Sequence, residues 1–366
     1  MLRFIIRIFL TQISDKLKIR RKPKVIQMPI TGRCNSRCVT CNVWKVKNNK
    51  DIDSEELMRI LSDPFFSKVN AIGINGGELT LVKDIDKIID AVLSVKTLTN
   101  IHVISNGLLP DKLYNVLSLL KSKANKKGVK IGFTLSIDGI GNIHDETRGI
   151  PFAFQRSERI LEYFVANLEK YCDSFNIGCT ISNKNVPYIR ETADYLSKYP
   201  FRVYYHLAVP NKRIHTFDKS DYYVINDERS RLLALEFFQS LYSETSISKS
   251  PIDKFRAFAN YYFLKSNGTQ RLSQCYYKYR DVTIDENLDL SYCATASDTL
   301  GSLVANSPSE LIKSSNGKKV HIRTMANCQN CVHYSDIPTV KGIILFGLQL
   351  LKDRYMQGRQ YKYFKL

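Results

Sequence analysis

The sequence contains no apolar run long enough to cross a bilayer. A spanning helix needs roughly 18 or more consecutive apolar residues, and Arg3 and Arg7 interrupt the apolar opening segment, residues 1–10. No small-residue cleavage site follows that segment, which argues against an export signal. We therefore expect a cytoplasmic protein in a reducing compartment, where its nine cysteines favour metal binding over disulfides.

Acidic residues are also scarce, with 35 Asp and Glu against 54 Lys and Arg, so that the formal net charge is +19. The two ends carry most of this charge: residues 1–26 have a net charge of +7 and residues 341–366 a net charge of +5. A basic balance fits nucleic acid, anionic lipid or a phosphorylated substrate, and it fits a merely solvated surface equally well. No RNA-recognition signature is present, which disfavours nucleic acid.

Six β-rich runs alternate with five amphipathic stretches between residues 24 and 210. The predicted strands are 25–31, 69–75, 101–106, 129–137, 175–182 and 201–209. The predicted helices are 53–61, 83–96, 110–125, 151–171 and 186–198, and Asp53 with Glu56 fits a capping box. Consecutive βαβ crossovers predict an α/β fold with a parallel sheet, either open and doubly wound or curved into a partial barrel. In both cases the chemistry is expected at the carboxyl ends of the strands.

The alternation stops after Pro210. The pattern predicts a linker at 212–222, helices at 227–243 and 251–265, and a hairpin from Cys275 to Cys293 that turns at residues 285–287. No internal repeat or low-complexity tract is present.

Three cysteines follow the first predicted strand in a C-x3-C-x2-C run, at Cys34, Cys38 and Cys41. Thiolates so close in sequence can share one metal centre, and soft sulfur ligands suit iron–sulfur or zinc. Three ligands leave one iron of a cubane cluster open to a substrate or cofactor. The alternative is a zinc site whose fourth ligand lies elsewhere.

Four further cysteines form a second group, Cys275, Cys293, Cys328 and Cys331. The predicted hairpin can bring the first two together, and the last two form a tight C-x2-C pair. The spacing fits a structural zinc site and a fully ligated cluster equally well. Cys179 lies in a predicted strand as a small hydrophobe, and Cys172 has no evident partner.

The first cysteine loop resembles the signature of the radical S-adenosylmethionine (radical SAM) superfamily. Further motifs resemble those of the family and follow in its order at the ends of later strands. They are Gly76-Gly77-Glu78, Ser105-Asn106-Gly107, Ser136-Ile137-Asp138 and the segment His144–Arg148. Two positions depart from the family pattern: Thr40 stands where an aromatic residue is common, and Leu79 stands where proline is usual.

The resemblance implies a role for each motif. Cys34, Cys38 and Cys41 would hold the catalytic [4Fe–4S] cluster. The residues that would bind S-adenosylmethionine are Gly76, Gly77 and Glu78 at its amino group, Ser136 and Asp138 at its ribose, Arg148 at its carboxylate, and Ser105 and Asn106 beside them. The chemistry agrees, since adjacent glycines permit a close backbone approach, and an arginine holds a carboxylate bidentately.

The second cysteine group resembles the twitch form of the SPASM/twitch auxiliary domain, which binds one additional [4Fe–4S] cluster. The larger SPASM form has more cysteines after the C-x2-C pair, and none follows Cys331. The predicted domains are a basic amphipathic helix at 1–23, a radical SAM partial (β/α)6 TIM-like barrel at 24–210, a helical linker at 211–270, an auxiliary-cluster domain at 271–336 and a basic helix or tail at 337–366.

The resemblance implies an oxidoreductase that cleaves S-adenosylmethionine to a 5′-deoxyadenosyl radical, using electrons from a flavodoxin- or ferredoxin-type donor. Single-cluster relatives include an aminoglycoside dehydrogenase, so we expect oxidation or epimerisation of a carbohydrate or cyclitol, including a cell-surface glycan. The alternative is a maturase of a ribosomal peptide or protein. About 23 residues before the first strand are too few for an added peptide-recognition domain, which favours the carbohydrate. A zinc-bearing RNA-binding protein is the remote alternative.

Two further features of the sequence each allow two interpretations: a set of three polar side chains on one strand, and the two basic ends of the chain. Arg202, Tyr204 and His206 share a face of the sixth predicted strand, where substrate contact competes with a structural role. In the N-terminal segment, Arg3 and Arg7 belong to a polar helical stripe; near the C-terminus, the apolar run 343–351 precedes several basic residues. Both ends either pack on the protein or attach it peripherally to an anionic membrane face.

Overall fold

The computed structural model describes residues 20–45, 50–214, 216, 220–243, 250–333 and 337–363, together with Ile8 and Ile13. Residues 354–363 are described by their backbone alone. The predicted amphipathic helix at 1–23 therefore lies almost entirely outside the described residues. The chain divides into two compact units. The barrel unit comprises 20–223 and 277–328, and the helical unit comprises 1–19, 224–276 and 329–366.

Six parallel strands lie side by side in chain order in the barrel unit. They are β1 (Val25–Pro29), β2 (Ala71–Asn75), β3 (Asn100–Ser105), β4 (Lys130–Ser136), β5 (Ser174–Ile181) and β6 (Arg202–Leu207). Each strand pairs in parallel with the next, from β1 with β2 to β5 with β6. This arrangement confirms the predicted α/β fold and partial barrel.

Helices connect these strands as predicted. They are α1 (Ser54–Leu61), α2 (Ile85–Leu93), α3 (Pro110–Asn125), α4 (Asn142–Arg148), α5 (Ala153–Asn167) and α6 (Ile189–Leu196). The Asp53 side chain accepts a hydrogen bond from the backbone N–H of Glu56 and so caps α1. The short helix α4 was not predicted, since its seven residues hold no apolar stripe.

The strands bury apolar side chains in the positions that face the core. Ile26 and Met28 of β1 and Ile101 of β3 are fully buried. Parallel sheets are covered on both faces, which explains the long apolar strands of the sequence. The register places the ends of neighbouring strands at one edge: Pro29 lies opposite Asn75, and Ser136 opposite Gly178. The predicted motifs therefore meet at the carboxyl edge of the sheet.

The helical unit follows β6 in the chain. It contains α7 (Glu228–Ser243), α8 (Pro251–Lys265) and the short strand β7 (Ser273–Gln274). The two helices match the predicted ranges to within one residue. The Tyr242 and Phe258 rings pack edge to face between α7 and α8, with centroids 5.4 Å apart.

A hairpin then extends the sheet of the barrel unit beyond β1. Its strands are β8 (Val282–Ile284) and β9 (Asp289–Ser291), followed by β10 (Thr299–Ser302). The turn at 285–287 is confirmed, but the hairpin begins at Val282 rather than at Cys275. Strand β8 pairs in parallel with β1, so the sheet has nine strands among the residues that the structure describes. Helices α9 (Pro308–Lys313) and α10 (Ser315–Asn327) complete this unit.

The chain returns to the helical unit through β11 (Ile337–Pro338), which pairs with β7, and ends in α11 (Val340–Tyr363). One side of α11 packs on α8 through Phe346, whose ring centroid lies 5.2 Å from that of Phe258. Ile344, Leu348 and Leu351 are more than half exposed in the same helix. Within the described part of the chain, no helix is both long and apolar enough to cross a membrane.

Candidate active site at the carboxyl edge of the sheet

The first cysteine loop begins just after β1 and is fixed by the end of α4. The backbone N–H groups of Arg37 and Val39 donate to the carbonyls of Arg148, at 2.8 Å, and of Thr147, at 3.0 Å. Gly149 ends α4 with a φ of 65°, and a Cβ there would lie 2.7 Å from the carbonyl oxygen of Arg37. The fold therefore requires glycine at 149, because the loop and the helix end lie in direct backbone contact.

Each of the three thiols in this loop receives at least one hydrogen-bond donor. The N–H of Ser36 lies 3.4 Å from Cys34 Sγ, and the N–H of Val43 lies 3.5 Å from Cys41 Sγ. The third thiol, Cys38 Sγ, lies 3.0 Å from the hydroxyl of Ser36 and 3.6 Å from Nη1 of Arg148. Such donors stabilise thiolate sulfur, and this donor set fits an anionic iron–sulfur cluster.

Two of the three thiols, those of Cys34 and Cys41, are buried, which favours their protonated form. Burial raises the pKa of Cys34 to about 12 and that of Cys41 to about 11. Metal binding would therefore release protons from this loop. Among the residues that the structure describes, no three Cys, His, Asp or Glu side chains already stand in an arrangement that could hold a metal ion.

The glycine pair that follows β2 approaches the cysteine loop. Gly76 has a φ of 139°, and a Cβ at Gly77 would lie 1.8 Å from the carbonyl oxygen of Arg33. The N–H of Gly77 donates to the Thr31 carbonyl at 2.8 Å, and that of Glu78 to the Arg33 carbonyl at 2.7 Å. We expected these glycines to let the backbone approach a ligand. In the structure the close approach is to the protein's own cysteine loop.

Glu78 is buried and its carboxylate accepts four hydrogen bonds. Oε1 accepts from the hydroxyl of Ser105 at 2.8 Å and from the N–H and hydroxyl of Thr80, while Oε2 accepts from the N–H of Asn106 at 2.8 Å. Burial still raises the pKa of Glu78. The side-chain amide of Asn106 donates a hydrogen bond to Oδ1 of Asn35 at 2.9 Å, and Asn35 is the residue after Cys34. The predicted residues from β2 and β3 therefore lie together against the cysteine loop.

Arg148 and Asp138 form a buried ion pair next to Cys38. Nη2 of Arg148 lies 2.8 Å from Oδ2 of Asp138, whose Oδ1 accepts from the N–H of Thr180 at 2.7 Å. Burial opposes the charge of Arg148, but Asp138 and Cys38 outweigh that effect and raise its pKa. The N–H of Asp138 donates to Nδ1 of His144, and burial lowers the pKa of this imidazole, so His144 is neutral with its proton on Nε2.

The sequence of this region matches a known family model. Residues 28–196 match the model described as the radical SAM superfamily, and this range holds the cysteine loop and every motif described above. The match supports the resemblance of residues 28–196 to the radical SAM superfamily that the motifs indicate.

Curated relatives match shorter parts of the chain. A GTP 3′,8-cyclase of Clostridium botulinum (strain Hall) is 30% identical over 115 residues, which cover 30% of this chain and 35% of that protein. The sporulation killing factor maturation protein SkfB of Bacillus subtilis (strain 168) is 29% identical over 132 residues, covering 36% of this chain and 30% of that protein. The chain thus spans about a third of the length of these relatives.

Solved structures share the fold over a longer range. SuiB of Streptococcus suis bound to S-adenosylmethionine has a TM-score of 0.58 at 16% identity, covering 84% of this chain and 70% of that chain. Native anSMEcpe with bound AdoMet has a TM-score of 0.60 at 16% identity, covering 93% of this chain and 98% of that chain. The superfamily's cofactors, a [4Fe–4S] cluster and S-adenosylmethionine, fit the donor set around the cysteine loop.

The second group of cysteines is divided between the two units. Cys275 and Cys331 belong to the helical unit, and Cys293 and Cys328 to the barrel unit. The N–H of Ala296 lies 3.4 Å from Cys293 Sγ, which repeats the N–H to sulfur contacts of the first loop. Cys328 Sγ instead donates to a carbonyl one helical turn earlier, at 3.3 Å. The remaining cysteines, Cys172 and Cys179, are buried, as expected for Cys179.

Two groups of residues beside the first cysteine loop were not predicted from the sequence. Asp51 accepts from Thr31 Oγ1 at 2.7 Å and pairs with Arg33, which fixes the start of the loop. Arg213 and Glu286 form a mostly buried pair, with Nη2 and Oε2 3.8 Å apart. No sequence signal identified either group, because most of their partners are far away in the chain.

The backbone of the segment that contains Arg213 is hydrogen-bonded both to the residue after Cys41 and to the residue after Cys293. The N–H of Asn42 donates to the Ile214 carbonyl at 3.1 Å, and the N–H of Arg213 donates to the Ala294 carbonyl at 3.3 Å. Nε and Nη2 of Arg213 and Oε2 of Glu286 are buried without a hydrogen-bond partner among the described residues. Because β8 runs parallel to β1, Glu286 follows the carboxyl end of β8 on the same edge as the cysteine loop.

Proposed function

We propose that the protein is a radical SAM enzyme that modifies a peptide or protein substrate. The observation that carries the enzyme assignment is the cysteine loop itself, in which Cys34, Cys38 and Cys41 all receive donors and Cys38 meets the guanidinium of Arg148. When bound, the cluster and S-adenosylmethionine supply one-electron cleavage of the cofactor and removal of a hydrogen atom from the substrate.

The residues of this chain hold and orient those groups. Cys34, Cys38 and Cys41 would ligate the cluster, and Asn106 would keep Cys34 in place through Asn35. The backbone of Gly76 and Gly77 and the carboxylate of Glu78 would border the amino group of S-adenosylmethionine. The remaining residues proposed for its binding are Ser105, Asn106, Ser136, Asp138 and Arg148. Cys275, Cys293, Cys328 and Cys331 are proposed as ligands of an auxiliary [4Fe–4S] cluster of the twitch kind.

A peptide substrate has the better support from relatives. One similar structure, at a TM-score of 0.55, is that of SuiB bound to its precursor peptide SuiA, and another, at 0.52, is that of anSMEcpe with AdoMet and the Cp18Cys peptide. SkfB is named as a maturation protein. The carbohydrate substrate expected from the sequence stays a prediction that no comparison supports.

The pair of Arg213 and Glu286 is suited to a peptide group. Within the described part of the chain, its unmet N–H groups and unmet carboxylate oxygen lie side by side, and a peptide amide presents one acceptor and one donor in the same way. Buried polar atoms without partners cost about 1–3 kcal/mol each. A substrate amide that meets both would recover part of that cost.

The substrate class can be tested with fractions of cell extract. The anaerobically reconstituted protein is mixed with S-adenosylmethionine and a reductant, and the rate of 5′-deoxyadenosine formation is measured with and without each fraction. We expect a macromolecular or peptide fraction to stimulate the rate, and protease treatment of that fraction to abolish the stimulation. Stimulation that resists protease but is lost after periodate treatment would establish a carbohydrate instead.

Two controls belong to this experiment. The Cys38→Ala variant should form no 5′-deoxyadenosine with any fraction. The Arg213→Met variant should respond less to the active fraction, relative to its own substrate-free rate, because it loses substrate contacts; its iron content, measured alongside, should equal that of the wild type.

A further inference from the structure

Helix α11 of the helical unit has two apolar sides, and the contacts of the described residues cover one of them. The covered side packs on α8, where the Phe346 ring lies 5.2 Å from that of Phe258 and 5.8 Å from that of Phe255, measured between centroids. Gly342 lies on the same side, since a Cβ there would collide with the carbonyl oxygen of Leu272. These contacts fix which side of α11 faces the protein.

The opposite side of α11, called here the outer face, presents large apolar side chains to solvent. Ile344 is two residues before Phe346, which places it roughly 200° around the helix from that ring. Leu348 and Leu351 follow Ile344 at helical spacing, and Val340 precedes it at the same spacing. The exposed fractions are 43% for Val340, 55% for Ile344, 57% for Leu348 and 64% for Leu351. Single exposed apolar residues are ordinary, but a row of four along one helix side indicates an interaction surface.

The start of α11 is fixed, so the outer face belongs to the folded helix. Thr339 Oγ1 accepts the N–H of Gly342 at 2.9 Å and donates to the Leu272 carbonyl, also at 2.9 Å. Directly before it, Ile337 and Pro338 of β11 pair with β7. The row is therefore held in place on the side that points away from α8.

The charges along α11 indicate the chemistry of its partner. Lys341 and Lys352 are exposed next to the row. Residues 354–366 add further basic residues, Arg354, Arg359, Lys362 and Lys365. The single acidic residue of 341–366, Asp353, follows Phe346 by seven residues and so lies on the side of α8, where it accepts from Nε2 of Gln349 at 2.9 Å. Up to residue 353 the outer face thus combines apolar and basic groups, which matches a surface that is both apolar and anionic.

We propose that the outer face of α11 attaches the protein peripherally to an anionic lipid bilayer. Ile344, Leu348 and Leu351 enter the boundary of the acyl chains, and the flanking lysines lie at the headgroups, which is the division of groups in helices that lie in a bilayer interface. A second copy of this chain fits less well, because it would bring the same net charge of +5 over 341–366 against its own kind. This role needs no metal centre, because all of these residues lie in the helical unit.

The test is co-flotation of the full chain with lipid vesicles that contain no protein. Vesicles of equal parts phosphatidylcholine and phosphatidylserine should bind the wild type at least about tenfold more tightly than vesicles of phosphatidylcholine alone, and added salt should weaken this binding. The double substitution Ile344→Ser and Leu348→Ser should weaken binding to the anionic vesicles at least about tenfold, because two apolar side chains no longer enter the bilayer. Lys352→Gln should weaken it about threefold to fivefold.

Matched control variants lie on α10, in the barrel unit. Ile322 is 68% exposed, more than any residue of the row on α11, so Ile322→Ser tests whether any exposed apolar residue contributes; it should leave vesicle binding unchanged. Lys319 is exposed on the same helix, and Lys319→Gln should weaken binding less than Lys352→Gln. Thermal unfolding shows whether the serine variant is folded. If it is not, Leu348→Ser alone should still weaken binding about threefold or more.

Three outcomes would overturn this assignment. Equal binding of the wild type and the folded serine variant would place the attachment elsewhere in the chain. A wild type that does not bind anionic vesicles would exclude a lipid surface as the partner. A dimer in solution that the serine substitutions dissociate, without vesicle binding, would assign the outer face to a second copy of the chain.

Discussion

Two buried arginines of the barrel unit, Arg148 and Arg20, differ in what balances their charge. Arg148 binds Asp138 with one nitrogen and approaches Cys38 with another. Among the described residues, Arg20 reaches only a carbonyl and the Tyr292 ring, and two of its nitrogens have no partner. The charge of Arg148 is therefore balanced by a bonded carboxylate, whereas among the described residues no bonded carboxylate balances the charge of Arg20.

The largest effect is expected from Cys38→Ala, which removes the thiol that Arg148 approaches. Without this ligand the first cluster does not assemble, so 5′-deoxyadenosine formation should fall by at least about 100-fold, because the cofactor supplies the chemistry. Iron should fall from about eight to about four atoms per chain. Both are measured after anaerobic reconstitution. The control is Cys172→Ala, at a buried cysteine outside both groups, which should keep the wild-type rate and iron content. Two zinc ions without sulfide in the wild type would contradict both cluster assignments.

A stability comparison tests the difference between the arginines directly. Arg148→Met leaves Asp138 buried without its partner, which should lower the free energy of unfolding by about 3–5 kcal/mol. Among the described residues, Arg20→Met breaks no ion pair and loses one hydrogen bond and a cation–π contact, so its cost should be about 1–2 kcal/mol. Urea unfolding of the metal-free proteins measures both. Equal costs for the two variants would show that Arg20 has a counter-ion after all.

The close contact between Gly77 and the cysteine loop can be disrupted without changing a charged residue. In Gly77→Ala the new Cβ would meet the Arg33 carbonyl, so the cysteine loop must shift, at a cost of about 1–3 kcal/mol and with reduced iron loading. Gly347→Ala is the matched control, because nothing lies within 4 Å of its Cβ position in α11. It should stabilise the protein by up to about 1 kcal/mol. Iron analysis and urea unfolding separate the two, and normal iron loading in Gly77→Ala would argue against the contact.

The smallest effect is a pH dependence of the metal-free protein. Burial raises the pKa of Cys34 to about 12, above its ordinary value of 9.0. Near pH 9 the unfolded chain loses this proton while the folded protein keeps it, so the free energy of unfolding should fall as the pH rises above about 9. Unfolding midpoints between pH 8 and 10 measure the slope, which should be shallower in Cys34→Ser. An identical slope in that variant would place the Cys34 thiol in water rather than in a buried site.

Much of the barrel could be predicted from the sequence, because its signals are local. The apolar runs around Ile26 and Ile101 predict strands, and Asp53 as an N-cap predicts the start of a helix. The cysteine loop and its motifs follow the strand ends in order. The short helix α4 was missed because seven residues are too few to show a helical period.

The contacts that complete the site could not be predicted, since they join residues far apart in the chain. Arg213 contacts Glu286 across more than 70 residues, and Arg20 contacts Tyr292 across more than 270. Periodicity and motif spacing do not report such pairings. The predicted hairpin end at Cys275 failed for the same reason, because Gln274 pairs with Ile337 instead of continuing the hairpin.

The pairing of β1 with β8 has a consequence for synthesis of the chain. One edge of β1 is covered by β2, which follows within 50 residues, but its other edge is covered only by a strand that begins at Val282. About 250 residues must be translated in between, which takes roughly 10–50 s at ribosomal rates of about 5–20 residues per second. During that time β1 presents an open strand edge, which is a site for misassembly with other nascent chains. We therefore expect the yield of folded protein to depend more on translation rate and chaperone supply than on its final stability.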